Sequence, residues 1–260
     1  MRILFFSDLH LDTVTAGVPR WDDLTGGLDK IYEAAVAERV DLVVFAGDWC
    51  DPGTKASRCI WRAGYEAARY AGASIPTRWL VGNHDVIEDG HGSHVLLPLK
   101  AFDQHSVIDN GPTFEHLDDA QFLWLPYTPR SHAYDPEEAI ENYAKWVKKD
   151  GRPLIIVGHL NLEGIGPGSE TKDLPRGRDV FWPLDAIAEH MPRAILVGGH
   201  YHKPQQWRGV NIIGSVERLT FGEEGDPVKG YMILEIGDDA KEEDKPKRRT
   251  PRARRAAQSA

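Results

Sequence analysis

At 260 residues the chain has room for one large domain or two small ones, and a hydrophobic fraction of 41% is ordinary for a protein with a packed core. No apolar run approaches the ~20 residues of a membrane span, two cysteines (Cys50 and Cys59) make no disulfide framework, and the stretch from Met1 to Phe6 is too short for a signal-peptide core, so a cytoplasmic location is expected. The formal net charge of −9 hides an asymmetry: residues 245–260 hold seven basic side chains and no acidic one, while the other 244 residues hold 24 basic and 40 acidic.

Taken in order, Arg2-Ile3-Leu4-Phe5-Phe6-Ser7 is a short continuous apolar run, the pattern of a buried strand. Asp8 and His10 follow at its end, two positions apart, a spacing that puts both side chains on one side of an extended loop. Leu24, Leu28, Ile31 and Ala35 keep helical spacing through residues 24–37. Residues 41–46 read as a second buried strand ending in Gly47-Asp48, where glycine permits a tight turn and leaves the carboxylate at the sheet edge. Trp49 beside it is expected to be a packing residue. Residues 57–71 read as a helix with Ser57 suited to its N-cap, and Arg58, Arg62 and Arg69 are expected on a solvated face.

Residues 77–81 form the third strand. It hands over to Gly82-Asn83-His84-Asp85, an amide, an imidazole and a carboxylate in three consecutive positions, just past a strand where α/β folds place chemistry. Alone, Gly-Asn is common turn chemistry. His91 and His94 follow in a Gly/Asp-rich loop with no strand to position them, and are expected to be polar loop residues rather than ligands. Residues 106–108, 113–116 and 121–125 are short strand candidates separated by turn signals. Residues 135–149 read as a helix, opened by Asp135-Pro136 and with lysines in its last turn.

Residues 153–157 are another buried strand, ending in Gly158-His159. A short helix at 182–189 precedes a strand at 194–197 that ends in Gly198-Gly199-His200-Tyr201-His202. Residues 205–208, 210–213 and 230–236 read as closing antiparallel strands. Composition breaks near Gly237. Residues 238–260, with Pro246, Pro251 and an Ala/Ser ending, are expected to be a disordered basic tail, either solubilising or able to hold phosphate backbones. Strands alternating with helices, then closed by short strands, predict an α/β core with mixed sheets and one catalytic edge.

The residues at the strand ends are Asp8, His10, Asp48, Asn83, His159, His200 and His202: two carboxylates, one amide oxygen and four imidazoles. Any one of these histidines is more often structural than a ligand. Seven such residues at the ends of five apolar runs do not arise easily from packing. One metal rarely takes this many protein ligands, but two can if a carboxylate bridges them. The mixed N/O set without thiolate points to manganese, iron or zinc rather than magnesium or calcium. Two metals ~3.5–4 Å apart are a known device for hydrolysing phosphate esters.

The ordered set Asp-x-His, Gly-Asp, Gly-Asn-His-Asp, Gly-His and Gly-His-x-His resembles the calcineurin-like metallophosphoesterase superfamily, over residues 1–237. The resemblance implies a four-layer α/β/β/α sandwich with two mixed β-sheets. It implies that Asp8, His10, Asp48 and His202 hold one metal, and Asp48, Asn83, His159 and His200 the other, with Asp48 as the bridge and manganese as the first choice of ion. His84 would contact the scissile phosphate and help the leaving group depart, with Asp85 orienting its ring. Gly214-Ser215-Val216-Glu217-Arg218, Phe221-Gly222-Glu223-Glu224 and Lys229-Gly230-Tyr231 resemble the SbcD-type DNA-repair exonucleases, as do Leu125-Pro126-Tyr127, His159-Leu160-Asn161 and Gly168-Ser169-Glu170. SbcD-type chains carry a capping domain and helices that dock on a coiled-coil ATPase, where residues 238–260 here are a basic tail. Asp12 stands where many relatives carry glycine.

Three functions therefore compete. The first is a manganese-dependent DNA exo- or endonuclease with an SbcC-like coiled-coil ATPase partner, and with a homodimer left open. The second is a phosphodiesterase or diphosphatase acting on nucleotides or lipid-linked diphosphates. The third is a non-catalytic scaffold, against which the intact ligand set and His84 argue.

Overall fold

The computed structural model describes residues 1–51, 57–87, 93–102, 105–109, 111–127, 135–162, 165 and 181–237, with the backbone of 254–257. Strand β1 (Arg2–Phe6) leads into a hairpin of β2 (Val14–Thr15) and β3 (Val18–Pro19), then helix α1 (Trp21–Ala37), β4 (Leu42–Phe45), α2 (Ser57–Gly72) and β5 (Thr77–Leu80). After a 3₁₀ turn at Leu97–Ala101 come β6 (His105–Ile108), β7 (Thr113–His116), β8 (Gln121–Leu125), α3 (Pro136–Ala144), β9 (Leu154–His159), β10 (Asn161–Leu162), β11 (Phe181–Trp182) and α4 (Leu184–His190). Then follow β12 (Ile195–Gly199), β13 (Gln205–Trp207), β14 (Val210–Ile212), a 3₁₀ turn at Phe221–Glu223, β15 (Gly230–Glu235) and β16 (Arg254–Ala257).

Two six-stranded mixed sheets result, ordered β16-β15-β1-β4-β5-β6 and β13-β14-β12-β9-β8-β7. In the first sheet β1, β4, β5 and β6 run parallel, and β15 closes antiparallel onto β1. In the second, β8, β9, β12 and β14 run parallel, with β7 and β13 antiparallel at its edges. The apolar runs that look uniform in sequence divide by alternation, because successive strand residues face opposite sides. Ile3, Phe5, Leu42 and Val44 meet Phe122, Trp124, Ile155 and Val197 between the sheets. Leu4, Phe6, Val43 and Phe45 face Leu24, Leu28 and Ile31 of α1 and Cys59, Ala63 and Tyr70 of α2. Leu123, Ile156 and Leu196 face Ile140 of α3 and Ile187 of α4. That is the four-layer α/β/β/α sandwich.

Three local expectations are corrected. Arg62 and Arg69 do not form a solvated face: Arg62 is buried, and both reach Glu66 on α2 and Asp29 on α1, a polar clamp between two helices. Helix α3 starts as expected, with the Asp135 side chain accepting from the main-chain N–H groups of Glu137 and Glu138. It ends at Ala144, after which tighter i→i+3 bonds carry the chain to Val147. Trp182 is a strand residue rather than the start of a helix, since the residue before a proline is pushed out of the α region and Pro183 follows.

Trp49 is fully buried, packs edge-on against Phe45 and Trp79, and donates its indole N–H to the Cys59 carbonyl, as a packing residue should. Both cysteines are buried and neither is in a disulfide. His94 lies buried with Nε2 2.8 Å from Asp109, a structural pairing; His91 lies outside the described residues. Within the tail, Arg254–Ala257 adds to the open edge of β15 as an antiparallel strand. No helix among the described residues is long and apolar enough to cross a membrane.

Phe122 sits in the layer between the sheets, fully buried and stacked on Trp124 with ring centroids 4.8 Å apart. Phe122→Ala should lower unfolding free energy in urea by ~3–5 kcal/mol, the range for an aromatic removed from a close-packed core. A loss below about 1 kcal/mol would contradict the packing described.

Candidate metal centre

Every side chain singled out at a strand end arrives at one edge. The loops after β1, β4 and β5 meet the ends of β9 and β12, all at the carboxyl ends of parallel strands. The first two loops run side by side: the N–H groups of Leu9 and His10 donate to the Asp48 carbonyl at 2.9 and 3.1 Å, and that of Leu11 to the Trp49 carbonyl. Asp8, His10, Asp48 and His200 all take positive φ, between 46° and 82°. This is a costly conformation for residues other than glycine, and it concentrates where function over-determines the backbone. Asp12 also has φ of 76°, a conformation that glycine adopts more readily, and its carboxylate pairs with Arg58. Gly82 is required by crowding, since a Cβ there would lie 2.2 Å from Asp48 Oδ1. At Gly47 a Cβ would lie 2.3 Å from the His159 ring, and φ is 101°.

The side chains converge in three overlapping groups: Asp8, His10 and His202; His10, Asp48 and His84; Asp48, His159 and His200. Within each, the candidate ligand atoms lie within 4.8 Å of one another. Asp48 Oδ2 is central, 3.2 Å from His159 Nε2, 3.7 Å from His10 Nε2 and 3.9 Å from His84 Nε2. Asn83 Oδ1 stands 3.0 Å from His159 Nε2 and 3.2 Å from His200 Nδ1.

The outer partners of the rings decide the tautomers. His159 Nδ1 faces the Ala46 carbonyl at 2.8 Å, His200 Nε2 faces Asn161 Oδ1 at 2.9 Å and His202 Nδ1 faces Glu223 Oε1 at 3.4 Å. In the neutral rings each outer nitrogen is therefore the donor, and each inner nitrogen carries a lone pair. Two of those lone pairs point at another acceptor, His159 Nε2 and His200 Nδ1 at Asn83 Oδ1, while His202 Nε2 meets His10 Nε2 across 3.0 Å. Acceptors converging on acceptors are repulsive unless a cation lies between them. The donor set fits divalent metal.

A proton on His159 would relieve the same repulsion, and the side chains' own electrostatics favour one there. Burial opposes charge on His159, but Asp48 beside it prevails and raises the imidazole to about 9. His200 is pushed down to about 3 by burial and by the charge on His159. His10 is held well below its ordinary value by burial and by His202. Burial works against the Asp48 charge, yet His159 draws its pKa well below the carboxylate range. The cluster accepts positive charge at His159 and refuses it on His10 and His200.

Asp85 requires a correction. It was expected to orient the His84 ring, but its carboxylate accepts instead from four main-chain N–H groups: Oδ2 from Gly82 at 2.9 Å and Asp48 at 3.0 Å, Oδ1 from Trp49 at 2.7 Å and Cys50 at 3.4 Å. Fully buried, it clamps the β4 and β5 loops together. Burial and the charge on Asp48 push it up to about 7, against the pull of those N–H groups. His84 is fixed differently, through its own N–H to Asp48 Oδ1 at 2.9 Å, with its side chain 31% exposed. Its ring opens into a cleft of about 480 Å³ shared with His10, Asp48, His200 and His202. Sequence reasoning assigned no role to Asn161 and Glu223, which set the His200 and His202 rings, nor to the β2–β3 hairpin and Phe221 along the cleft. Asn161 and Glu223 did fall inside the motifs quoted above.

A family model described as calcineurin-like phosphoesterase matches residues 1–204. Over 258 residues the chain is 26% identical to a protein of Staphylococcus saprophyticus named as a subunit of the nuclease SbcCD, covering 91% of this chain and 66% of that one. Over 246 residues it is 26% identical to the DNA double-strand break repair protein Mre11 of Halobacterium salinarum, covering 92% and 57%. The chain thus spans about two thirds or less of the length of these curated relatives. A dimetal phosphatase from Danio rerio shares the fold, with a TM-score of 0.60 at 10% identity, covering 92% of this chain and 93% of that one.

The geometry of Asp85 makes an expectation that an orienting role would not. Asp85→Asn keeps the shape but turns an amide N–H₂ toward main-chain donors, leaving buried groups unsatisfied, at a cost of ~1–3 kcal/mol. Thermal melting and metal analysis of this variant should show stability and metal content falling together. A variant of wild-type stability and full metal content, slowed only in turnover, would restore the orienting role.

Proposed function

The chain belongs to the calcineurin-like phosphoesterase family, whose members hold two divalent metal ions, and on that premise we propose that it is an SbcD-type nuclease hydrolysing phosphodiester bonds in DNA. The observation that carries the reading is the position of Asp48 Oδ2 between two converging ligand groups. We assign Asp8, His10, Asp48 and His202 to one ion and Asp48, Asn83, His159 and His200 to the other, with Asp48 shared and manganese as the first choice before iron or zinc. Bound there, the pair supplies Lewis acidity that acidifies a water and withdraws charge from a phosphate.

The chain's own residues supply the rest. Glu223, Asn161 and the Ala46 carbonyl hold three ring tautomers with lone pairs inward. Asp85 keeps Asp48 and Asn83 in register. His84 is the ring that opens into the cleft, placed to donate to the phosphate or to the departing oxygen, where negative charge grows in the transition state. DNA is favoured because relatives named as part of a nuclease and as a DNA repair protein align over nine tenths of the chain. An SbcC-like coiled-coil ATPase belongs to the same reading, since the first of those relatives is named as one component of a larger nuclease.

One observation favours the alternative, a phosphodiesterase or diphosphatase of nucleotides or other small molecules. Among the described residues lining the cleft there is no Lys or Arg to grip a long phosphate backbone. The deciding assay incubates the protein with manganese and end-labelled linear DNA, single- and double-stranded, beside a panel of nucleotides. Cleavage of DNA is expected; turnover of nucleotides with DNA left intact would select the alternative.

His84→Ala should retain two metal equivalents and bind DNA, while single-turnover cleavage falls ~10²–10³-fold, the usual cost of one catalytic donor. Metal lost in proportion to activity would make His84 a ligand. The basic tail gives a separate expectation. Replacing Lys245, Lys247, Arg248, Arg249 and Arg252 with glutamine spares the β16 strand, and should flatten the salt dependence of DNA binding by ~0.7–0.9 in slope for each phosphate no longer neutralised. An unchanged slope would remove the tail from the DNA interface.

A further inference from the structure

We infer that Phe221 is the residue on which this site stacks the nucleobase beside the scissile phosphate. The inference rests on the nucleotide-cleaving reading above and adds the group that selects a base-bearing strand. Phe221 is 78% exposed, more than any other large hydrophobic side chain among the described residues. It lines the same cleft as His84, Asp48 and His202. A bare aromatic ring at the mouth of a polar site gives up the gain of burial unless a ligand covers it.

The turn that presents the ring is pinned. The carboxylate of Glu223, fully buried, accepts from the Leu219 N–H at 3.3 Å, the Thr220 hydroxyl at 3.4 Å and Lys229 Nζ at 2.8 Å, and its Oε1 meets His202 Nδ1 at 3.4 Å. From the other side the Thr15 hydroxyl donates to the Leu219 carbonyl at 2.6 Å, tying the β2–β3 hairpin to the same turn. One buried carboxylate therefore positions both a candidate ligand ring and the exposed aromatic. The distance from centre to platform is set by the fold and does not need ordering when substrate arrives.

The rest of the lining points to the same ligand. Beyond the candidate metal groups the described cleft residues are mostly apolar (Val14, Ala16, Leu219) or hydroxylic (Thr13, Thr15, Thr220). A phosphodiester whose charge is met at the metal centre still carries flat, apolar-faced bases on either side. Every base has a face that stacks on an aromatic ring, so such a platform is tolerant of sequence. A base lying on Phe221 is not stacked and paired in a duplex, which makes an unpaired nucleotide or a frayed end the preferred substrate.

The test compares wild type, Phe221→Ala and Phe221→Trp on a short single strand with manganese. A second strand carries abasic residues at the nucleotides flanking the scissile bond. Phe221→Ala should raise KM about 5- to 100-fold, the span of base–aromatic stacking, with kcat little changed, and Phe221→Trp should restore it. The abasic strand should cost the wild type a similar factor and leave Phe221→Ala unaffected. Wild-type behaviour of Phe221→Ala on the ordinary strand, or an equal loss on both strands, would overturn the stacking role while leaving the nuclease reading intact. A wild type that cuts neither strand would overturn that reading, and the stacking role with it.

Discussion

Both oxygens of the buried Asp85 carboxylate are taken up by main-chain N–H groups, two on Oδ2 from Gly82 and Asp48 and two on Oδ1 from Trp49 and Cys50. A carboxylate enclosed in protein is expensive unless its lone pairs are met. Here the groups that meet them belong to loops from two different strands. The expense becomes a constraint: the β4 and β5 loops cannot move apart without exposing the three donors of the β4 loop and the carboxylate. Asp48 and Asn83 sit on those loops, so the distance between the central carboxylate and the central amide follows from this clamp. Gly82 permits it by having no Cβ where Asp48 Oδ1 must pass.

The remaining rings are held by the same logic in smaller units. Each outer imidazole nitrogen has a fixed acceptor, the Ala46 carbonyl, Asn161 or Glu223, and so each inner nitrogen presents a lone pair. Several lone pairs aimed at one volume form an arrangement whose members repel. It survives because the surrounding main chain is over-determined by sheet pairing and by the parallel loops at Asp8 and Asp48. The positive φ angles at Asp8, His10, Asp48 and His200 are the local record of that tension.

Glu223 extends the network outward. It lies behind His202, in the same 3₁₀ turn as Phe221, and is itself ionised: burial opposes its charge, but the hydrogen bonds from His202 and Lys229 hold it down at about 2. A carboxylate that stays charged inside the protein keeps a steady grip on both neighbours. The support behind His202 and one wall of the cleft thereby come from one segment, the stretch from Gly214 to Tyr231, which otherwise crosses from the second sheet back to β15 in the first.

Much of this was written locally. Short apolar runs, four of them closed by glycine and a polar side chain and the first by Asp8 and His10, announced the strands and the seven residues at their ends, because strand length and ligand type are local properties. Alternation inside those runs was invisible in sequence, since every position is apolar and only the two-sided burial of each strand sorts Phe5 from Phe6. The partner of Asp85 was misjudged for a related reason. A carboxylate next to an imidazole suggests a pair along the chain, but the backbone turn points it to N–H groups from another loop. Arg62 and Arg69 likewise read as surface charge until Asp29, more than 30 positions earlier, is brought beside them. Sequence alone determined which atoms could bind metal and which strands would carry them. Only the tertiary structure decided which lone pairs face each other, which carboxylate clamps the loops and which aromatic stands in the cleft, because those depend on side-chain directions across residues far apart in the chain.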